Sequence, residues 1–190
     1  MRHVLLAAAL LLPAAAAPAA TDMQSAASAF LETEIRGWMD EPVLIDAIAA
    51  QNAKTAGLSE NEILAMDAAW RSEVGAAARP SIDAVLTNDA AAFLSGVVEA
   101  AGGKITEIFV MDARGLNVAA SAVTSDYWQG DEEKHSETFG KGPGAVHVGE
   151  IEFDESSQRY QTQISATIVD PATGEAIGAV TVGVDAEAMM

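Results

Sequence analysis

The hydrophobic period of this chain switches once, at Gly102-Gly103, and that switch limits the available folds more than any motif does. Before the pair, apolar residues return every three or four positions, as along one face of a helix. After it, they alternate or run in short β-branched blocks, as in strands. A helical half joined to a strand half reads as α+β, with helices packed on one antiparallel sheet. At 190 residues the two halves make a single domain, with a helical region over 21–101 and a sheet region over 102–190.

Caps divide the helical half. Asp22 precedes an uninterrupted run in which Ala26, Ala27, Phe30, Leu31, Ile35 and Trp38 recur at helical spacing, which predicts one long helix to about Trp38. Glu41-Pro42 opens a second helix that continues to Gly57, proline being suited to the first turn. Ser59 and Glu62 match a capping box, and Ile63, Met66, Ala69, Trp70 and Val74 mark one face of a third helix. Pro80 begins a short segment through Leu86. Asn88-Asp89 caps a last helix, using Phe93, Leu94, Val97 and Val98, which ends at the glycine pair. Trp38 and Trp70 lie on apolar helix faces and read as core or interface.

The second half predicts five strands, over 104–111, 116–123, 146–153, 159–169 and 176–184. Asp112-Ala113-Arg114-Gly115, Asp154-Glu155-Ser156-Ser157 and Asp170-Pro171-Ala172-Thr173-Gly174 are turn chemistry, so the strands they join run antiparallel. The connection over 124–144 is too long for a hairpin and carries aromatic and acidic residues. In the fourth strand Tyr160, Thr162, Ile164, Ala166 and Ile168 point to a core, and Gln161, Gln163, Ser165, Thr167 and Val169 form the other face. That second face is polar but uncharged. It is either solvated or the wall of a wet pocket, and its lack of Lys and Glu favours the wall.

Arg2-His3, the apolar run Leu5 to Leu12 and the small residues Ala14 to Ala20, with Ala17-Pro18-Ala19 as an A-x-A site, follow the pattern of a secretory leader over residues 1–20. The run is shorter than the roughly 20 apolar residues that span a bilayer, and no second run of that length follows. The mature chain is therefore expected to be periplasmic or secreted. Cysteine is absent, which excludes disulfide and thiol chemistry. The net charge of −18 repels phosphate backbones and anionic membranes, so nucleic acid is excluded as a partner. A composition that is 50% hydrophobic is that of a packed domain, not a disordered one.

Three segments carry a family resemblance: Phe109-Val110-Met111-Asp112-Ala113-Arg114-Gly115-Leu116-Asn117-Val118-Ala119-Ala120-Ser121, Thr124-Ser125-Asp126-Tyr127-Trp128-Gln129-Gly130-Asp131-Glu132, and the stretch from Asp170 to Asp185. With the helices before them, their order resembles the extracytoplasmic PAS-like sensor domains of the Cache (PDC) family. The resemblance implies a PAS-like sheet, a strand that ends in a D-x-x-G turn, and an aromatic loop that closes over a small solute. It also implies a membrane receptor. No transmembrane helix or signalling module is evident in this sequence, so a partner protein would have to report occupancy. The arginine-plus-aromatic signature of amino-acid-binding members is absent as well.

The crossover supplies the first candidates for a site. Tyr127 and Trp128 offer flat walls with a polar edge, and Asp126 and Asp131 offer charges that pair with an ammonium, so the set suits an amine or another cationic solute. The same aromatics can instead anchor the loop to the core and leave both aspartates in water. Asp185, at the end of the last strand, either faces the same pocket or is a solvated strand end. Asn117, Ser121, Gln163, Ser165 and Thr181 are further hydrogen-bonding candidates. His135 and His147 with Asp131 or Glu133 match no zinc spacing. Gly140-Lys141-Gly142-Pro143-Gly144 lacks the ending of a phosphate loop, and Pro143 removes a donor. With no G-x-S-x-G and no convergent acid, base and nucleophile, the expectation is a non-enzymatic, cofactor-free binding module. The alternative is a structural scaffold that dimerises through its long N-terminal helix.

Overall fold

The computed structural model describes residues 17–154 and 159–189. Most of the expected leader (1–16) and most of the second turn (155–157) therefore lie outside the described residues. Helix α1 (Ala17–Phe30) begins earlier than the Asp22 cap suggested. It is not one regular helix to Trp38. Leu31–Ile35 widens into a π turn, with Arg36 N–H bonded to Leu31 O, and Arg36–Trp38 tightens into a 3-10 turn. Trp38 secures this end by donating its indole N–H to Glu34 O at 2.8 Å and by meeting Phe93 edge-on.

The other helices start where their caps lie. Pro42 occupies the first turn of α2 (Pro42–Thr55) and Pro80 that of α4 (Pro80–Leu86). Ser59 and Glu62 form the reciprocal capping box of α3 (Glu60–Glu73), and the Ser59 hydroxyl and backbone N–H hold the Glu62 carboxyl below its ordinary pKa. Asn88 caps α5 (Asp89–Ala100) by accepting from Ala91 N–H. Its amide N–H₂ also donates to Val118 O, tying the helix start to the sheet.

Among the described residues the sheet has six strands: β1 (Ile105–Asp112), β2 (Asn117–Ala120), β3 (Val146–Val148), β4 (Glu152–Asp154), β5 (Arg159–Val169) and β6 (Ala176–Asp185). Their order is β2-β1-β6-β5-β3, all antiparallel, with β4 also on β5. The expected third strand is divided because its register slips. Val148 pairs with Ile164 and Glu152 with Gln161, so residues 149–151 stand against only 162–163. One extra residue makes a bulge. The expected second strand is shorter than 116–123 for a related reason. The chain leaves the ladder after Ala120, where Ser121 N–H still reaches Ile108 O.

The main core lies between the helices and one sheet face. Phe30, Leu31 and Ile35 meet Leu44 and Ile48 of α2, Leu94 of α5, and the inward residues Ile108, Val110, Ile164, Ile168, Val180, Val182 and Val184. Each such side chain contributes about 1.5–3 kcal/mol by leaving water. Thr162, Ile164, Ala166 and Ile168 are buried as the alternation predicts, but Tyr160 is 59% exposed. It packs edge-on against Phe153 of the neighbouring strand instead.

The turn after β1 joins these layers. Asp112 has no exposed surface, yet its carboxylate is satisfied by four donors. Oδ2 accepts from Thr55 Oγ1 (2.8 Å) and Gln51 Nε2 (3.1 Å), both on α2, and Oδ1 accepts from Arg114 and Leu116 N–H (2.8 and 3.0 Å). Gly115 completes the turn at φ +78°, and a Cβ there would lie 2.4 Å from Gly130 Cα in the crossover. Gly115→Ala should therefore combine left-handed strain with a backbone clash and cost about 3 kcal/mol or more in urea unfolding. Gly174→Ala, at φ +75° in open space, should cost only about 1 kcal/mol. Equal losses for the two variants would mean that the close approach of Gly115 to Gly130 adds no cost of its own.

Candidate functional site

The sheet face opposite the main core is built in cross-strand rows. Met111, Ala179 and Thr167 form one row, Phe109, Thr181 and Ser165 the next, and Glu107, Gly183 and Gln163 the third. The crossover covers the first two. Phe139 packs on the apolar patch that includes Met111 and Ala179, Thr167 Oγ1 donates to Gly142 O, and buried Ser165 and Thr181 share a hydrogen bond of 2.9 Å. The third row is open. Gly183 places no side chain between its neighbours, and a Cβ there would come within 2.8 Å of Glu107 Cγ. The Gln163 amide donates to Glu107 Oε1 across that gap at 3.3 Å.

Helix α3 fixes the near end of the crossover. Asp67 is 5% exposed, and its Oδ1 accepts from Tyr127 and Trp128 N–H at 2.9 and 3.1 Å. Arg71 bridges the other Asp67 oxygen to Asp126 at 2.8 and 2.9 Å. Trp70 donates to Thr124 O and stacks on Tyr127, ring centres 5.4 Å apart. The segment then runs beside β2 and the preceding turn, with Asn117 N–H bonded to Tyr127 O and Gln129 N–H to Gly115 O. Trp128 donates its indole N–H to Arg114 O.

Beyond this anchor the chain forms α6 (Glu133–Ser136), whose His135 is buried against the sheet. A carbonyl can only accept, so the contact from His135 Nε2 to Asp112 O (3.3 Å) puts the ring proton on Nε2. Phe139 stacks on the ring at 5.2 Å. Burial lowers the His135 pKa below the ordinary 6.5, outweighing the opposing pull of the Asp112 carbonyl and carboxylate.

Between α6, the open row and the β3–β4 bulge lies a cleft of about 860 Å³. Glu107, Asp131, Glu132, Glu133, Glu150 and Glu152 line it, and Lys134 and His147 are its basic members. Lys134 is engaged with Glu132 Oε2 (2.9 Å) and Gln129 Oε1 (3.3 Å), and His147 Nε2 lies 3.8 Å from Glu133. Asp131 and Glu150 have no ion-pair partner among the described residues. Negative charge is thus in excess, and it faces uncharged donors and acceptors from Gln161, Thr162 and Gln163.

Of the residues singled out in the sequence, Asp131 and Gln163 line this cleft. Asp126 and Trp128 belong to the anchor, and Tyr127 faces a different groove, between the helices. Asn117 is buried, donating to Thr124 Oγ1 and Asp126 O. Ser121 accepts from Ile108 N–H at the sheet edge. Asp185 is 6% exposed, paired with Arg159 at 2.6 Å and capping Glu187 N–H. Asp67, Glu107 and Glu150 were not singled out. Asp67 had a signal, being an acid on the α3 stripe that contains Ile63 and Trp70. Glu107 and Glu150 had none, because only the register brings them together.

The fold is one shared with solved sensor domains. In particular, it is similar to the sensor domain of E. coli DcuS, with a TM-score of 0.50 at 13% identity over 89% of this chain and 95% of that one. Weaker likenesses are to the sensor domain of the V. cholerae histidine kinase DctB (TM-score 0.38, 14% identity) and to the ligand-binding domain of the Campylobacter jejuni chemoreceptor Tlp3 in complex with L-valine (0.40, 12%). Each covers 89% of this chain, and this chain spans 57% and 65% of theirs. No family model and no curated protein matches the sequence.

Two outcomes test this construction. Asp67→Ala removes the acceptor of two backbone N–H groups and should cost about 2–4 kcal/mol, with faster hydrogen exchange at Tyr127 and Trp128; unchanged exchange there would locate the anchor elsewhere. For His135, the folded pKa lies below the unfolded value of 6.5, so the unfolded state takes up the proton first. The stability from the neutral ring is complete above pH 6.5 and is lost as pH falls from there to the folded pKa. The drop in unfolding free energy between pH 7.5 and 5.5 should accordingly be smaller in His135→Gln than in the parent.

Proposed function

We propose that this chain is an exported solute-binding domain of the sensor type, and that its ligand is a small cation of the amine class held in the acidic cleft. One observation carries the reading: six carboxylates converge on a concave wall against two basic groups, Lys134 and His147, and the remaining polar side chains there are neutral amides and a hydroxyl. Carboxylates crowded together repel one another, and an ammonium or diammonium ligand relieves that repulsion while donating hydrogen bonds. Gln163 and Asp131 act as contact residues, and the anchor made by Asp126, Tyr127 and Trp128 holds the wall in position.

Occupancy would be reported to a partner protein, as in a receptor, by stabilising one arrangement of 131–137 against the sheet. The scaffold alternative draws less support. Ala27, Phe30, Leu31 and Ile35, which would form a dimer seam, are buried in the chain's own core.

Calorimetric titration with putrescine at low ionic strength is the direct test, with succinate as the control of opposite charge. Putrescine should bind and succinate should not. Asp131→Asn combined with Glu150→Gln should weaken putrescine tenfold or more, about 1.4 kcal/mol. Absence of binding by mono-, di- and polyamines alike, or an affinity indifferent to both substitutions, would refute the assignment.

A further inference from the structure

A second concavity, of about 820 Å³, opens in the helical layer between α2, α3, α4 and α5. It shares no lining residue with the acidic cleft. Its walls are methyl groups, from Ala47 and Ala50 on α2, Ala69 on α3 and Ala84 on α4. Side chains that small leave the gap between the helices unfilled, and the result has the size and apolar character of small-molecule pockets.

Four uncharged polar side chains interrupt the apolar lining; Ser81 is engaged by Glu73, and Asn88 by the α5 cap and Val118 O, which leaves Gln51 and Tyr127. Gln51 directs its amide N–H₂ to Asp112 Oδ2, Leu116 O and Asn117 O, which leaves Oε1 with no partner among the described residues. The Tyr127 hydroxyl also has no hydrogen-bond partner among them, although its ring is held by Trp70. Neither oxygen is sealed in: Asn117 Oδ1 is the one fully buried side-chain atom without a partner among the described residues. Burial first, and the nearby Asp112 charge second, push the Tyr127 pKa up to about 12, so the phenol keeps its proton and can donate. The charged residues of the lining, Asp46, Lys54 and Asp89, are all exposed, where water screens them.

We infer that this groove is a second small-molecule site, for an uncharged ligand with an apolar body and a hydroxyl or carboxamide end. The body lies among the alanines. The polar end accepts from the Tyr127 hydroxyl and donates to Gln51 Oε1, the one role open to an amide oxygen. A ligand carrying a full charge would leave it over methyl walls without a buried counter-charge.

The test is an NMR titration of the full chain with benzamide, following methyl and backbone signals. Saturable shifts should map to Ala47, Ala50, Ala69, Ala84 and the Tyr127 ring, and residues 131–134 of the acidic cleft should stay unmoved. Tyr127→Phe should weaken benzamide about three- to tenfold, the loss of one hydrogen bond. Ala50→Phe and Ala69→Phe, both at exposed positions, should each fill the groove and abolish the shifts while the parent's circular dichroism is retained. Shifts that are absent at millimolar benzamide, that map to the acidic cleft, or that persist in a folded filling variant would overturn the site. None of these results bears on putrescine binding, so the two proposals fail separately.

Discussion

A carboxylate with no access to water stands where the helical layer, the first hairpin and the crossover meet. Asp112 is tolerable there only because four donors replace its hydration: two side chains from α2 and two backbone N–H groups from its own turn. An unsatisfied charge at this depth would cost several kcal/mol, so α2, the turn and β1 hold their relative positions together or not at all. The turn in turn sets the crossover. Gly115 and Gly130 pack backbone to backbone, Gln129 N–H bonds to Gly115 O, and the Asp112 carbonyl accepts a hydrogen bond from His135 Nε2. Both proposed binding sites are bounded by elements that this one residue locates.

The two faces of the sheet do different work because the strands alternate. One face is filled by Ile and Val against α1, α2 and α5. The other begins under the crossover, with hydroxyls satisfied internally, and ends in the open at Gly183. A missing side chain there leaves Glu107 and Gln163 on either side of a gap, and the β3–β4 bulge brings in Glu150 and Glu152 beside them. Carboxylates can gather at this end because it is open to water, which screens their repulsion. Any cation that binds among them stabilises the fold by mass action.

Much of this was legible along the chain. The capping box at Ser59 and Glu62, the prolines at Pro42 and Pro80, the Asn88 cap and the D-x-x-G turn each act within a few residues, so local chemistry suffices to read them. The two sides of β5 were separable by alternation alone. Errors arose where a distant partner decides the outcome. The third strand looked continuous because a register slip against β5 leaves no mark in its own residues. Tyr160 looked inward because alternation assigns a residue to a face but says nothing about whether anything covers it. For Tyr127, Trp128 and Asp126 the local residues allow both a pocket wall and an anchor, and their contacts with Asp67 and Arg71, more than 50 residues away, leave no local mark.

What the sequence determined by itself is the class of architecture and its punctuation: helices before Gly102-Gly103, antiparallel strands after, one long acidic and aromatic connection, and a strongly negative surface. These follow from periodicity, backbone preferences and composition, all short-range or additive properties. Only the tertiary structure decided which acids share a cleft, which buried carboxylate organises the layers, and that the helices leave a groove over Tyr127. Those depend on strand register and on the angles at which layers meet. Both are set by packing between residues far apart in the chain, to which no local window of sequence has access.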